Sequence, residues 1–203
     1  MFIYGTGGHA KVLFSALPEA NFLLSETGCF LGRRSQFLGR SIFTPDEVLP
    51  GNSVLIAIGD GVARQKVYES LSIYNFQFPY FIHPSALIEA LPEEETIGRG
   101  SHILAKSFIG AGSKIGNFVI INTGATVDHD CEIGNFSHIA PGVNLCGGVI
   151  VGTNTLVGVG SCARPRVRIG SNCTIGAGSV IVSDIPDNSL AYGNPCIVQK
   201  RKD

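Results

Sequence analysis

From residue 97 onward an aliphatic side chain returns at every sixth position. The series runs Ile97, Ile103, Ile109, Ile115, Ile121, Val127, Ile133, Ile139, Leu145, Val151, Val157, Ala163, Ile169, Ile175, Ile181. Fourteen of these fifteen are Ile, Val or Leu, and no residue is inserted or lost between them. A period of six matches neither an amphipathic helix nor a half-buried strand. It matches a parallel β-helix of hexapeptides, each giving one short strand and one corner. Three hexads close one triangular coil, so the run predicts five coils. The aliphatic residue points inward, and Gly, Asn or Ser takes the tight corner. A single coil cannot bury its inner face, whereas stacked coils share one continuous core. Residues eighteen apart then stack about 4.8 Å from each other.

Residues 1–80 are patterned differently. Phe2-Ile3-Tyr4 is a short apolar strand. The turn Gly5-Thr6-Gly7-Gly8-His9-Ala10 follows, and residues 11–17 have helical spacing. Residues 21–25 predict a second strand, residues 44–49 a short helix with Pro45 in its first turn, residues 53–59 a buried strand, residues 64–73 a helix and residues 78–82 a final strand. Strands alternating with helices predict a small, Rossmann-like parallel α/β sheet. The domains expected are therefore α/β over 1–80, β-helix over 81–186 and an irregular tail over 187–203, with a short basic end at 200–202. The acidic run over 90–95 shifts the phase of the repeat and reads as a solvated loop.

Composition narrows the function. A formal charge of −1 gives no general attraction to nucleic acid. No run approaches the roughly 20 apolar residues of a membrane span, and Gly5 interrupts any signal-like stretch. The six cysteines form no CxxC pair and read as reduced thiols of a cytoplasmic protein. The 26 glycines belong to corners and turns. Strand, glycine turn and helix together form a phosphate-binding arrangement, because the helix start offers free N–H groups. Glu26 after the second strand would suit a ribose, but so small a module fits a mononucleotide or nucleotide-sugar better than NAD. On the prism, Asp128-His129-Asp130 sets an imidazole between two carboxylates. One carboxylate bonding one ring nitrogen fixes the tautomer and raises basicity at the other. Gly147 lies one coil above His129 and leaves room beside it. Asn122 and His138 are further polar breaks in the wall, while His83 and His102 read as structural. His129 and His138 are nine residues apart, which does not bring them to a common ion, so no metal is expected.

The segments YGTGGHAKV, IHPSA, INTGATVDHDCEIGNFSHIAPG and GNPC resemble the sugar O- and N-acyltransferases of the sialic acid acetyltransferase type. The closest likeness is to bacterial UDP-4-amino-sugar N-acetyltransferases. The resemblance implies a left-handed β-helix, a homotrimer, acetyl-CoA in the groove between prisms and a nucleotide-sugar on the N-terminal domain. It makes His129 the catalytic base and Asp130 its acidic partner, where relatives carry Glu. It puts Asn122 near the sugar and the acetyl group, His138, Gly158 and Arg164 on the acetyl-CoA side, and the Gly147 N–H on the thioester carbonyl. Gly5, Thr6, Gly7, Gly8 and His9 fall at the nucleotide phosphates, and Gly59 and Asp60 beside the base and ribose. Ser25-Glu26 stands where relatives often have an Asp pair. Arg164, Arg166 and Arg168 replace small or apolar residues and would meet either CoA phosphates or a trimer surface. The activity implied is direct acetyl transfer to the 4-amino group of a UDP-linked 4-amino-4,6-dideoxy sugar. O-acetylation of a free sugar acid and a non-catalytic trimeric binding protein are the alternatives.

Overall fold

A computed structural model describes residues 1–23, 36–89 and 96–201. Ser25-Glu26, Cys29, the acidic run over 90–95 and Lys202 lie outside the described residues. The chain divides into two compact units, Met1–Pro79 and Tyr80–Asp203.

In the first unit, β1 (Phe2–Tyr4), β2 (Asn21–Leu23), β3 (Gln36–Phe37), β4 (Arg40–Phe43) and β5 (Val54–Ile56) form one sheet in the order β3-β4-β2-β1-β5. All neighbours pair parallel except β3 with β4. Val54, Leu55 and Ile56 are all buried, the continuous apolar run of a strand covered on both faces. Helix α1 (Gly8–Ala16) follows β1, and α2 (Gly61–Leu71) follows β5. The β3–β4 hairpin was not foreseen. It turns on Leu38 and Gly39, both at positive φ, and a leucine carries no hairpin signal. The helix expected at 44–49 is a single 3₁₀ turn, Pro45–Glu47, whose Glu47 carboxylate accepts the Thr44 N–H at 2.7 Å. The strand expected at 78–82 does not join this sheet. Phe81–Ile82 instead pairs with His102–Ile103 as the first rung of the second unit.

The second unit is a parallel β-helix of the left-handed hexapeptide type. Two-residue strands recur every six residues from His102–Ile103 to Val180–Ile181. Each pairs with the strand eighteen residues on, as Lys114 with Glu132 and Glu132 with Ile150. Three sheets form the three sides. The hexad-initial residues from Ile103 to Ile181 are at most 4% exposed. Four positions after each is a second buried column, which the aliphatic count did not reveal. It runs through Ser113, Cys131, Val149 and Val167 and their equivalents. Hydroxyls fit there because they are paired with backbone, most of them twice: Ser137 Oγ donates to Gly152 O at 2.6 Å and accepts the Thr155 N–H at 3.0 Å. Buried polar atoms paired in this way escape the desolvation penalty.

The corners share one backbone device. Every sixth residue from Gly100 to Gly178 has φ between 53° and 73°. Gly and Asn fill most of these left-handed positions, as sterics favour. Lys106, Phe118, Asp130, Phe136 and Arg166 are the costly occupants. Phe118 and Phe136 offset that cost by stacking, with centroids 5.1 Å apart and planes 2° from parallel.

The prism does not stop at Pro186, and the tail is not irregular. Ile185 bridges to Ile169, Ser189–Tyr192 pairs parallel with Thr174–Ile175, and Ile197–Arg201 returns antiparallel beside it. Ala191 and Cys196 join the prism core. Leu190-Ala191 and Ile197-Val198 are adjacent apolar pairs without the alternation that announces a strand.

Candidate active site

His129 and Asp130 occupy a corner of the prism, just after the strand Thr126–Val127. The left-handed φ of Asp130 folds its carboxylate back along the chain, and Oδ2 lies 2.8 Å from His129 Nδ1. The Asp side chain, though shorter than Glu, therefore reaches the ring. Asp128 Oδ1 accepts the His129 backbone N–H at 2.8 Å, fixing the other side of the turn. With Nδ1–H donated to Asp130, the lone pair of the neutral ring sits on Nε2. The His129 side chain is 63% exposed, so that lone pair is open to a substrate. The hydrogen bond from Asp130, then the charge of Asp128, raise the His129 pKa above its ordinary value; desolvation and Arg166 oppose them.

Nε2 faces Gly147. A Cβ built on Gly147 would overlap Nε2 and come within 2.5 Å of Cε1. The Gly147 carbonyl accepts the Arg166 N–H, and the Gly148 N–H is given to His129 O. Among the described residues the Gly147 N–H has no hydrogen-bond partner. An unpaired N–H on the residue that the ring packs against is an available donor for an oxyanion.

Three consecutive corners, 128–130, 146–148 and 164–166, line a cleft of about 760 Å³. It gathers Asp128, His129, Asp130, Gly147, Arg164 and Arg166, all singled out in the sequence, and adds Cys146, Gly148 and Pro165. The stacking period of eighteen would have found all three. The cleft does not contain Asn122, His138 or Gly158. Asn122 follows the strand Ile120–Ile121, and His138 stands on the strand that pairs with it. Asn122 Oδ1 takes the Thr123 N–H at 2.8 Å, so its amide nitrogen, 2.9 Å from His138 Nε2, donates there. Gly158 is two coils beyond Asn122 in the same column. One chain therefore carries two polar clusters on different corners. No group of three or more His, Cys, Asp or Glu side chains that could hold a metal occurs among the described residues.

The first unit carries the other candidate. Strand β1 lies between β2 and β5, so the chain leaves it in opposite directions and opens a crevice beyond the strand ends. The turn after β1 and the loop after β5 meet there. Gly5 has φ +115°, and a Cβ on it would lie 3.3 Å from Ala57 O. Cβ atoms on Gly7 and Gly8 would meet nothing within 4 Å, so internal packing does not require their bareness. Asp60 caps α2, its Oδ1 accepting the Ala63 N–H at 2.7 Å. Thr6 and His9 belong to the same turn and helix start, and Gly59 to the loop.

Five described cysteines are free thiols, and no described helix is long and apolar enough to cross a membrane. No protein-family model matches the chain. Solved structures do. PerB from Caulobacter crescentus, determined with CoA and GDP-perosamine, is 34% identical, with a TM-score of 0.85 over 98% of this chain and 96% of that one. The acetyltransferase domain of PglB from Neisseria gonorrhoeae FA1090, determined with acetyl coenzyme A, is 34% identical, with a TM-score of 0.85 over 97% of each chain. WeeI from Acinetobacter baumannii AYE repeats the fold at 23% identity, with a TM-score of 0.84 over 97% of this chain and 98% of that one. With 34% identity to the first two enzymes over nearly its whole length, this chain belongs to the hexapeptide-repeat family of nucleotide-sugar N-acetyltransferases and is an acetyl-CoA-dependent acetyltransferase.

Proposed function

We propose that the chain transfers acetyl from acetyl-CoA to the 4-amino group of a UDP-linked 4-amino-4,6-dideoxy sugar, with His129 as general base. The observation that carries this reading is the single line Asp130–His129–Gly147: a carboxylate holding Nδ1, an exposed ring, and an unpaired N–H on the glycine that Nε2 faces. The neutral amine attacks the thioester carbonyl while Nε2 takes its proton. Asp130 holds the imidazolium that results. The Gly147 N–H donates to the oxyanion. Collapse of the tetrahedral intermediate breaks the C–S bond, and the proton on Nε2 passes to the departing CoA thiolate. No acyl-enzyme is needed.

The nucleotide diphosphate is assigned to the β1–β5 crevice, with Gly5, Thr6, Gly7, Gly8 and His9 at the phosphates and Gly59-Asp60 at the ribose and base. Arg164 is assigned to acetyl-CoA. His138 and Gly158 are assigned to a neighbouring subunit's share of the acetyl-CoA groove, in a homotrimer, with Asn122 near the sugar and the acetyl group. Two observations support that assembly. The second cluster lies on a different corner from His129, and the exposed apolar Leu156 and Val159 flank it, Leu156 pairing directly with His138. Free thiols and the expected co-substrates suit a cytoplasmic setting.

The test is turnover of acetyl-CoA with UDP-, GDP- and dTDP-linked 4-amino-4,6-dideoxy sugars, read by CoA release and product mass, alongside light scattering of the protein. Acetylated UDP-sugar from a trimer is the expected result. Acetylation of free sialic acid with no nucleotide-sugar product would overturn the assignment.

Asp130→Asn gives a separate readout. Removing the main cause of the raised His129 pKa leaves less imidazolium at any given pH. The acid limb of kcat/KM therefore moves to lower pH. Loss of the orienting carboxylate lowers kcat by about 10- to 100-fold. A pH–rate profile that does not move would separate Asp130 from the base.

A further inference from the structure

We infer that Arg64 is a positioning residue for the nucleotide of the sugar substrate, acting through the loop 57–60; this rests on the crevice reading proposed above. Arg64 is 0% exposed, yet it is an arginine on the first turns of α2. Its Nη1 donates to Ile58 O at 2.6 Å and to Gly59 O at 3.0 Å. Those carbonyls belong to the loop that closes one side of the crevice. The same loop is tied to β1 by the Ala57 N–H to Tyr4 O bond at 2.9 Å, and Ala57 O stands against the Gly5 turn.

Burying a guanidinium is costly, and an apolar side chain of similar volume usually packs as well or better. Helix α2 does not need it, because Asp60 already caps that helix through Oδ1. Burial pushes the Arg64 pKa down to about 10, while the Asp60 carboxylate works the other way, so the group stays charged at neutral pH. What the charge achieves is local. One charged nitrogen, Nη1, holds two successive carbonyls toward the protein interior. With their oxygens turned in, the Gly59 and Asp60 backbone is held in one conformation at the crevice, and its carbonyl dipoles face away from an approaching diphosphate. Lysine ends one bond short of the Nη1 position on a flexible stem, so its ammonium does not reach both oxygens from the same backbone site.

The measurement is steady-state kinetics of Arg64→Lys and Arg64→Gln in the full-length enzyme. The KM for the nucleotide-sugar should rise by about 10-fold or more, the range set by losing a hydrogen bond from a charged donor. The KM for acetyl-CoA and the kcat at saturation should stay close to wild type. A simple loss of stability would lower the amount of active enzyme without splitting the two KM values. Equal KM values for both substrates in a folded variant overturn the inference. The wild-type enzyme supplies an independent check that needs no variant. Saturating UDP should slow backbone amide exchange over 5–10 and 57–60 together. Slowing over 5–10 alone overturns the role of Arg64. No slowing in either segment, with UDP, GDP or dTDP, overturns the crevice reading and this inference with it.

Discussion

Replacing His129 by alanine will lower kcat by about 10²–10⁴-fold, the usual contribution of a positioned base. Stability should change by no more than about 0.5 kcal/mol, as for other exposed substitutions. The ring is 63% exposed and takes no part in the prism core. The turn around it is held by backbone groups that alanine retains: the N–H to Asp128 and the carbonyl to Gly148. The KM for acetyl-CoA should barely move, because the ring contributes its lone pair rather than binding area. Residual turnover would come from orientation and the Gly147 N–H. Stopped-flow detection of CoA thiol and a thermal melt decide the matter. Wild-type turnover in a folded variant would falsify the assignment.

Gly147→Ala should be nearly as damaging, for a different reason. The φ of Gly147 is not in the left-handed region, so its backbone accepts an L side chain without strain. The added methyl has nowhere to go except onto the His129 ring. The imidazole must rotate, and it then loses either its bond to Asp130 or its alignment with the amine. Displacement of a catalytic group by about 1 Å costs about 10²-fold in rate. The double variant with His129→Ala should be scarcely slower than His129→Ala alone, because residues acting on one interaction are not additive. Gly148→Ala provides contrast. Its φ of +70° puts the cost in the backbone, so the loss should appear first in the melting temperature. Equal rates for Gly147→Ala and wild type would mean that the ring does not stand where catalysis needs it.

The prism was legible in the sequence because its repeat is strict. A buried aliphatic every sixth residue leaves little freedom in register, and pairing at eighteen follows from it. The inner hydroxyl column escaped because Ser113, Ser137 and Thr155 look like surface residues until the backbone groups that bond them are known. Phe81–Ile82 reads two ways, as the end of the apolar run 78–82 and, six residues before Ile88, as a first irregular turn of coil; the structure takes the second. The hairpin at Leu38-Gly39 was missed because leucine seldom takes a left-handed turn. At the site, Asp128-His129-Asp130 and Gly147 could be read from chemistry and period together. The separation of Asn122 and His138 from His129 follows from counting corners. Arg64 could not be read at all: its position in α2 looks like any solvated helix arginine, and only its complete burial distinguishes it.

The hairpin of Ser189–Tyr192 and Ile197–Arg201 matters for more than packing. A stack of parallel coils has an open rim at each end, and a rim of unpaired N–H and C=O groups invites another chain to dock. Here the last side strand is covered by a strand running the other way, Gly193 O takes the Val180 N–H, and the Cys196 N–H closes on Val180 O. With these groups occupied, two of the three sides no longer offer the parallel strand edge that another coil would need. Truncation before residue 189 should convert a well-behaved enzyme into one that lengthens end to end.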